Sequence, residues 1–134
     1  MQDIYVVPRE QVQVAWNKVG HMIESAMSHA KGECTAEQLR VFLCQGTSFL
    51  MCFVEDNEIV GALVFRFNTT PNHRIFYIDA IGGKTTQAHT EKMMQFAREN
   101  NCTVMRGSAR ESVARLWRQK YGFNEIYRIV EKAL

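Results

Sequence analysis

The sequence predicts an α/β (α+β) fold in which a mixed central sheet of about six strands is flanked by about four helices. The 134 residues are 46% apolar and 22% charged, which is typical of a folded protein. Strand-like apolar runs and stretches of helical spacing follow each other in the order β, α, α, β, β, β, α, β, α, β. No repeat or low-complexity linker interrupts this order. We therefore expect residues 1–134 to form a single domain.

The first third of the chain predicts one strand followed by two helices. The run 4–7 is apolar and is ended by a proline. Apolar residues then recur at helical spacing, and Gly32 is the expected end of this first helix. Thr35 and Gln38 form a capping-box pattern, which predicts a second, short helix that ends at Gly46.

The middle of the chain predicts three antiparallel strands. The runs 49–54, 59–67 and 74–81 are apolar and rich in β-branched residues. Polar turns separate them at 55–58 and at 68–72. Because strands joined by short turns usually pair with each other, the three strands should form a meander.

A crossover follows the meander. Thr85 or Thr86 can cap a helix with an apolar face, and the short run 102–106 is the next strand candidate. The segment 75–105 is therefore expected to be a βαβ unit, whose two strands are parallel neighbours.

The C-terminal part predicts one more helix and one more strand. Ser108 and Glu111 form a second capping-box pattern at the start of a helical stripe, and Gly122 terminates that stripe. The last strand is predicted over 124–131.

Composition also limits the cellular context. The sequence has no apolar run near the roughly 20 residues of a membrane span, and its start lacks a secretory pattern, so we expect a cytoplasmic protein without a membrane partner. The four cysteines have no metal-binding or C-x-x-C spacing and are predicted to be reduced, buried thiols. They are Cys34, Cys44, Cys52 and Cys102.

Charge and histidine spacing argue against two kinds of ligand. The net charge of +2 is small, although the basic residues are concentrated after Arg98, and no aromatic residues are interleaved with them as in a base-stacking surface. Nucleic acid is therefore not an expected partner. The four histidines share no metal-ligand spacing, so no metal site is predicted, and His89 is expected to be structural.

Two motifs resemble the GNAT superfamily of N-acetyltransferases. The segment 114–123, ARLWRQKYGF, resembles the late helix-to-strand motif of that family, usually written A-x-x-L-Y-E-K-L-G-F. The segment 58–61, EIVG, looks like the start of the third strand in the family. The order of elements is similar over essentially the whole chain, and the short Gly-Gly loop resembles that of small GNAT-like proteins from bacteriophages.

The resemblance implies acetyl-CoA as co-substrate, held where the fourth and fifth strands separate, and direct attack of an amine on the thioester. Unpaired strand amides would bind the pantetheine, and a helix N-terminus would bind the pyrophosphate. Arg118, on the basic last helix, could also meet a phosphate, although such a residue is more often simply solvated. The remaining residues implied in binding are Ile81, Gly82, Gly83, Lys84, Thr85 and Thr86.

Asp79 and Tyr121 are the candidate catalytic residues. Two residues separate Asp79 from the glycine pair, and alternation along the strand predicts that Asp79 shares a side with Tyr77 and Ile81, where burial would favour a general base. The alternative is a carboxylate that accepts backbone N–H bonds or pairs with an arginine. Tyr121 could donate a proton to the leaving thiolate, or be a core residue.

Three departures from the family pattern keep a second interpretation open. The pyrophosphate loop is shortened, Arg118 stands where the family has its proton-donating tyrosine, and Glu111 stands where the family often has an asparagine. The chain is therefore either an N-acyltransferase acting on an unknown amine or protein acceptor, or a catalytically inactive protein of that fold. The inactive form would serve as a phage virion component or bind a host protein. A nucleic-acid-binding domain is a third interpretation, and exposed edge strands would permit a homodimer.

Overall fold

A computed structural model describes residues 1–28 and 33–134 of the chain. The elements follow the predicted order as far as the last helix, with a 3-10 turn, Arg9–Gln11, ahead of the first α-helix. The strands are β1 (Gln2–Val6), β2 (Phe49–Glu55), β3 (Glu58–Thr69), β4 (Arg74–Gly83) and β5 (Val104–Gly107). The helices are α1 (Val12–Met27), α2 (Ala36–Gln45), α3 (Gln87–Glu99) and α4 (Glu111–Tyr121).

The five strands form one mixed sheet in the order β1-β2-β3-β4-β5. The first four strands pair antiparallel with their neighbours, and β5 pairs parallel to β4. The predicted meander and the predicted βαβ crossover through α3 are both confirmed. The predicted α/β (α+β) class with a mixed sheet is therefore confirmed, with five strands instead of about six.

The two faces of the sheet pack in separate apolar clusters. On one face, α1 and α2 contribute residues such as Ile23 and Leu43, which are completely or almost completely buried against β2, β3 and β4. On the other face, α3 contributes Met93 and Ala97 to a cluster rich in phenylalanine. The ring centroids of Phe65 and Phe76 there lie 4.5 Å apart in a stacked arrangement. Two covered faces give the sheet the layered form of an α/β protein.

Most predicted helix ends are confirmed. Thr35 caps α2 with the reciprocal bonds of a capping box, and Thr86 caps α3. Gly46 and Gly122 end α2 and α4 in the left-handed conformation that glycine tolerates best. The end of the first helix predicted at Gly32 lies outside the described residues.

The cap predicted for the last helix at Ser108 is wrong. Helix α4 begins at Glu111 with Arg110 as its N-cap residue, and no side chain caps it. The Ser108 hydroxyl instead lies 2.7 Å from the Tyr77 hydroxyl, so it bonds to the sheet and not to the helix. A capping-box pattern alone cannot show which acceptor the serine meets in the fold.

The prediction of a last strand over 124–131 is also wrong, because these residues pair with no strand in the described part of the chain. Their apolar side chains, including Ile126, Ile129 and Val130, are exposed. Strand propensity measures how well a residue fits a pleated, half-buried surface. It does not show whether a neighbouring strand edge is available for the segment to pair with. Phe123, just before this segment, still packs on Trp117, with 5.2 Å between ring centroids.

The cysteines are reduced but mostly not buried. All four cysteines are free, as predicted, but only Cys52 is buried, whereas the other three are partly exposed because they lie at helix ends or loops. Within the described ranges no helix combines the length and the apolar character needed to cross a membrane.

Candidate functional site

Strand β4 runs past the end of β5, which leaves part of its edge without a strand neighbour. The two strands pair over only four positions, from Ile75 opposite Val104 to Ile78 opposite Gly107. Beyond that point β4 continues from 79 to 83, paired to β3 on its other side only. In the described part of the chain no strand takes up the backbone groups along this open edge, so they can bond to a ligand.

A β-bulge places Asp79 at the start of this open edge. Val64 of β3 is opposite Ala80 and Phe65 is opposite Ile78, so Asp79 has no opposite residue on β3. A bulge inserts one residue and re-aims the side chains around it. Ala80 therefore packs with the α1 and α2 cluster, whereas Ile78 and Ile81 both pack on the α3 face.

The expected strict alternation along β4 is therefore wrong for Ile81. Asp79 and Tyr77 share the face of α1 and α2, since both contact Arg66 of β3. Ile81 lies on the opposite face because the bulge at Asp79 interrupts the two-residue period. The bulge depends on how β3 and β4 pair, which the sequence of β4 alone does not reveal.

Asp79 forms an ion pair with Arg66. The Nε of Arg66 donates to both carboxylate oxygens of Asp79, at 3.1 Å each. Burial raises the pKa of Asp79, and the hydrogen bond and charge of Arg66 oppose that rise without cancelling it. A carboxylate with a raised pKa at an open strand edge has the properties of a general base. The arginine partner is the alternative that the sequence left open, and the two roles are compatible.

A polar row crosses the sheet at this place. Arg66 is opposite Tyr77 on β3 and β4, and Tyr77 is opposite Arg106 on β5. The guanidinium carbon of Arg66 lies 4.4 Å from the centre of the Tyr77 ring, a cation–π contact. The Tyr77 hydroxyl bonds to Ser108 just after β5. This row connects three strands at the point where β4 and β5 separate.

Cys34 brings the start of α2 close to this polar row. Burial raises the pKa of the Cys34 thiol, and the negative charge of Asp79 adds to that rise. Cys34 is thus close enough to interact with Asp79 and stays a neutral thiol. It also lines a depression of about 320 Å³ between the end of α1 and the start of α2. The depression lies on the α1 and α2 face of the sheet, the face where Asp79 lies.

The glycine pair lies inside β4 and serves packing. A Cβ atom on Gly82 would lie 2.3 Å from the carbonyl oxygen of Met22, so α1 approaches β4 at this point more closely than any side chain allows. Gly83 has a φ of +76°, which glycine adopts without strain. Its Cβ would also lie 2.6 Å from the carbonyl oxygen of Val60. The pair thus sets the position of the loop that follows.

That loop connects β4 to the N-terminus of α3. Lys84 pairs with Glu55, with 3.0 Å between its Nζ and a carboxylate oxygen. Thr85 is partly buried, and the Thr86 hydroxyl accepts from the His89 backbone N–H at 3.3 Å. The N–H groups of the first turn, at Gln87 and Ala88, have no intrahelical acceptor and can meet an anion at the positive end of the helix dipole.

His89 is the buried residue that fixes this helix end, and its predicted structural role is confirmed. Its side chain is fully buried. The Thr86 backbone N–H donates to its Nδ1 at 3.1 Å, so Nε2 carries the proton and donates to the Val54 carbonyl at 2.8 Å. No metal-binding group of three or more side chains occurs among the residues that the structure describes.

The two candidate site residues on α4, Tyr121 and Arg118, are not bonded to β4 in the described part of the chain. Tyr121 is the last residue of α4 and is partly buried. Arg118 is exposed and pairs with Glu125 at 3.4 Å. Among the described residues, neither forms a hydrogen bond or an ion pair with β4, so their roles stay predictions.

Sequence reasoning missed Arg66, Tyr77 and Ser108. One signal was available: Arg66 is the one charged residue in the apolar run 59–67 of β3. A charge inside such a run needs a partner or access to solvent. Asp79, the acidic residue of the next predicted strand, was the obvious candidate partner.

Solved structures share this fold. An aminoglycoside acetyltransferase from an uncultured soil metagenomic sample superposes with a TM-score of 0.70 and 16% identity, over 99% of this chain and 96% of that chain. A ribosomal-protein-alanine N-acetyltransferase from Brucella melitensis gives 0.69 and 13%, over 99% of both chains. A predicted acetyltransferase from Clostridium acetobutylicum, solved with acetyl-CoA, gives 0.63 and 15%, over 99% of this chain and 96% of that chain.

The chain has the GNAT acetyltransferase fold. Because all of these identities are below 25%, the likeness establishes the fold and not the activity. No known sequence family and no curated protein matches the chain. The resemblance to small bacteriophage proteins, which the short loop had suggested, gains no support from these structures.

Proposed function

We propose that the protein is an N-acyltransferase that moves an acetyl group from acetyl-CoA to an amine. The observation that carries this proposal is the open edge of β4, 79–83, with a half-buried carboxylate at its start and the N-terminus of α3 at its end. Donors for a pantetheine arm and for a pyrophosphate thus follow each other along one short stretch of chain. These residues fit acetyl-CoA as a co-substrate.

Acetyl-CoA, when bound, supplies an activated acetyl group as a thioester. Asp79 would accept a proton from the acceptor, directly or through one water molecule, so that the neutral amine with its free electron pair attacks the thioester. The new bond joins the amine nitrogen to the acetyl carbon, and the bond from that carbon to sulfur breaks. The thiolate takes up a proton, for which Tyr121 is the proposed donor. The products are an N-acetyl amide and free CoA.

The backbone of β4 and α3 would hold the donor molecule. Amides from Ile81 to Gly83 face the pantetheine, and the first turn of α3 faces the pyrophosphate. Lys84, Thr85 and Arg118 are further proposed contacts. Because Lys84 already pairs with Glu55, binding of a phosphate by Lys84 would have to compete with that ion pair.

A second candidate is a catalytically inactive binding module with the same fold. The observation that favours it is that both basic candidates for phosphate binding are already paired, Lys84 with Glu55 and Arg118 with Glu125. Such a protein would bind a partner protein, with a phage virion or a host protein as the contexts first considered, or a second copy of itself. It would not bind acetyl-CoA.

Calorimetric titration with acetyl-CoA distinguishes the two candidates. The sharpest variant is Gln87→Glu, which adds a negative charge to the exposed first turn of α3. This charge should be neutral or favourable for the helix but should repel a pyrophosphate. We expect saturable binding by the wild-type protein and binding weakened about tenfold or more in the variant.

The matched control is Asn17→Asp, which makes the same change of charge at an exposed position of α1. It should leave the affinity within about twofold. No binding of acetyl-CoA at millimolar concentration would contradict the enzyme proposal. Equal affinity of Gln87→Glu and the wild-type protein for acetyl-CoA would show that the N-terminus of α3 does not contact the ligand. If binding occurs, a screen of amine acceptors follows, with release of free CoA as the readout.

A further inference from the structure

We propose that Arg66 is a positioning residue that holds Asp79 as an oriented carboxylate at the opening between β4 and β5. This inference rests on the proposed function of Asp79 as the base. It concerns a residue on β3, away from the open edge of β4 itself. Arg66 belongs to the polar row that also contains Tyr77, Arg106 and Ser108, and it contacts the Asp79 carboxylate from there.

The Arg66 side chain is held from two sides. Its Nε is shared between the two oxygens of Asp79 at 3.1 Å, which holds both oxygens facing the guanidinium at the same distance. Its guanidinium lies over the Tyr77 ring, and the Tyr77 hydroxyl is tied to Ser108 at 2.7 Å. The contacts therefore orient the Asp79 carboxylate from β3, β4 and the start of the segment after β5.

The charge of Arg66 has a second effect. The Asp79 side chain is only 17% exposed, whereas the Arg66 side chain is 39% exposed. The carboxylate is therefore less accessible to water than the guanidinium. Burial alone would favour the protonated acid, which cannot act as a base. Cys34, a neutral thiol, also interacts with Asp79, and Arg106 on β5 lies further along the row. Arg66 is a cation in direct contact with Asp79, and its charge favours the ionised carboxylate against the effect of burial.

The test compares the dependence of kcat/KM on pH in four variants. Arg66→Met removes the charge but keeps the length of the side chain, and Arg66→Lys restores the charge. Tyr77→Phe keeps the ring under Arg66 and removes the bond to Ser108. Arg74→Met is the matched control, because Arg74 also lies over an aromatic ring, that of Phe67 at 4.5 Å, away from Asp79.

Removal of the charge should move the acidic limb of the profile to higher pH. Loss of Arg66 leaves the effect of burial unopposed, so the pKa of Asp79 rises and less base is ionised at low pH. In Arg66→Met we expect kcat/KM to fall about tenfold at the acidic end of the profile and less at the alkaline end. Arg66→Lys should recover part of the loss, and Arg74→Met should leave the limb in place. The affinity for acetyl-CoA should change less than twofold in each variant.

Carbon-13 NMR titration of the Asp79 carboxyl group gives a readout that does not depend on turnover. We expect its titration to move to higher pH in Arg66→Met and to stay unchanged in Arg74→Met. An unchanged titration, or a loss of kcat/KM that is equal at every pH, would overturn the positioning role. If the wild-type protein turns over no amine, the proposed function fails instead, and the titration still shows whether Arg66 controls the carboxylate.

Discussion

Replacement of His89 should destabilise the protein strongly, because this side chain joins α3 to the sheet. The ring is fully buried and stacks on Phe53, with 5.3 Å between ring centroids. Its two nitrogens bond to the Val54 carbonyl and the Thr86 backbone N–H. His89→Ala removes both bonds and leaves a cavity the size of an imidazole ring.

The magnitude follows from these two losses. Truncation of a large buried side chain to alanine costs about 3–5 kcal/mol, and each buried polar group left without a partner costs about 1–3 kcal/mol. These costs overlap, since the ring that fills the space also makes the bonds. We expect His89→Ala to lower the free energy of unfolding by about 4 kcal/mol, a large part of the total stability of a small domain.

His89→Gln separates the two losses. The chain already contains a threonine–glutamine capping box at Thr35 and Gln38, so glutamine at position 89 can cap Thr86 in the same way. The variant keeps the cap but loses the ring and its bond to Val54. Its cost should be smaller, about 2 kcal/mol.

Urea unfolding followed by circular dichroism measures both variants. Two outcomes would refute the reasoning. A cost below about 1 kcal/mol for His89→Ala would mean that the ring does not support the helix end. Equal costs for the two variants would mean that the cap of α3 contributes nothing. Acetyl-CoA titration of the glutamine variant should show nearly wild-type affinity, since the first turn of α3 is kept.

Three further predictions concern the site and the core. Asp79→Asn should lower kcat/KM about 100-fold and leave the affinity for acetyl-CoA nearly unchanged, and equal turnover would rule out Asp79 as the base. Gly82→Ala should lower the melting temperature, with a cost of about 2 kcal/mol, because its Cβ would lie 2.3 Å from the Met22 carbonyl oxygen. Burial raises the pKa of Cys52 to about 11 from an ordinary 9.0, so the folded protein prefers the neutral thiol, and stability should fall as pH rises between these values. A Cys52→Ala variant should show a smaller fall over that range.

Local signals in the sequence predicted most of the secondary structure. The capping box at Thr35 predicts a helix start from contacts three residues apart, and Gly46 predicts the helix end from the conformation of a single residue. These signals hold wherever the segment lies in the fold. The meander was predictable for a related reason, since short turns leave consecutive strands few other partners.

The features that the sequence did not predict depend on distant partners. The segment 124–131 has the composition of a strand, but a strand forms only where an edge accepts it. Ser108 has the spacing of a cap, but the Tyr77 hydroxyl competes for its side chain. In both cases the outcome depended on whether a distant partner was present, which the local pattern does not show.

Only part of the candidate site could be predicted, because its other residues come together through strand pairing. Asp79 was recognisable as a charged residue within an apolar strand, next to a glycine pair. Its arginine partner was hidden because Arg66 comes 13 residues earlier and meets it only through the pairing of β3 with β4. The bulge at Asp79 was hidden because it is a property of two strands together.

The bulge explains how one strand can serve both the core and the site. Without an extra residue, strict alternation would turn Asp79 and Ile81 toward the same face. The bulge lets Asp79 and Ala80 both face the α1 side, so that Ile81 returns to the apolar cluster of the α3 face. Beyond it, Gly82 allows the close approach of α1 to this part of β4. The polar row and the packing of α1 therefore both depend on where the register shifts between β3 and β4.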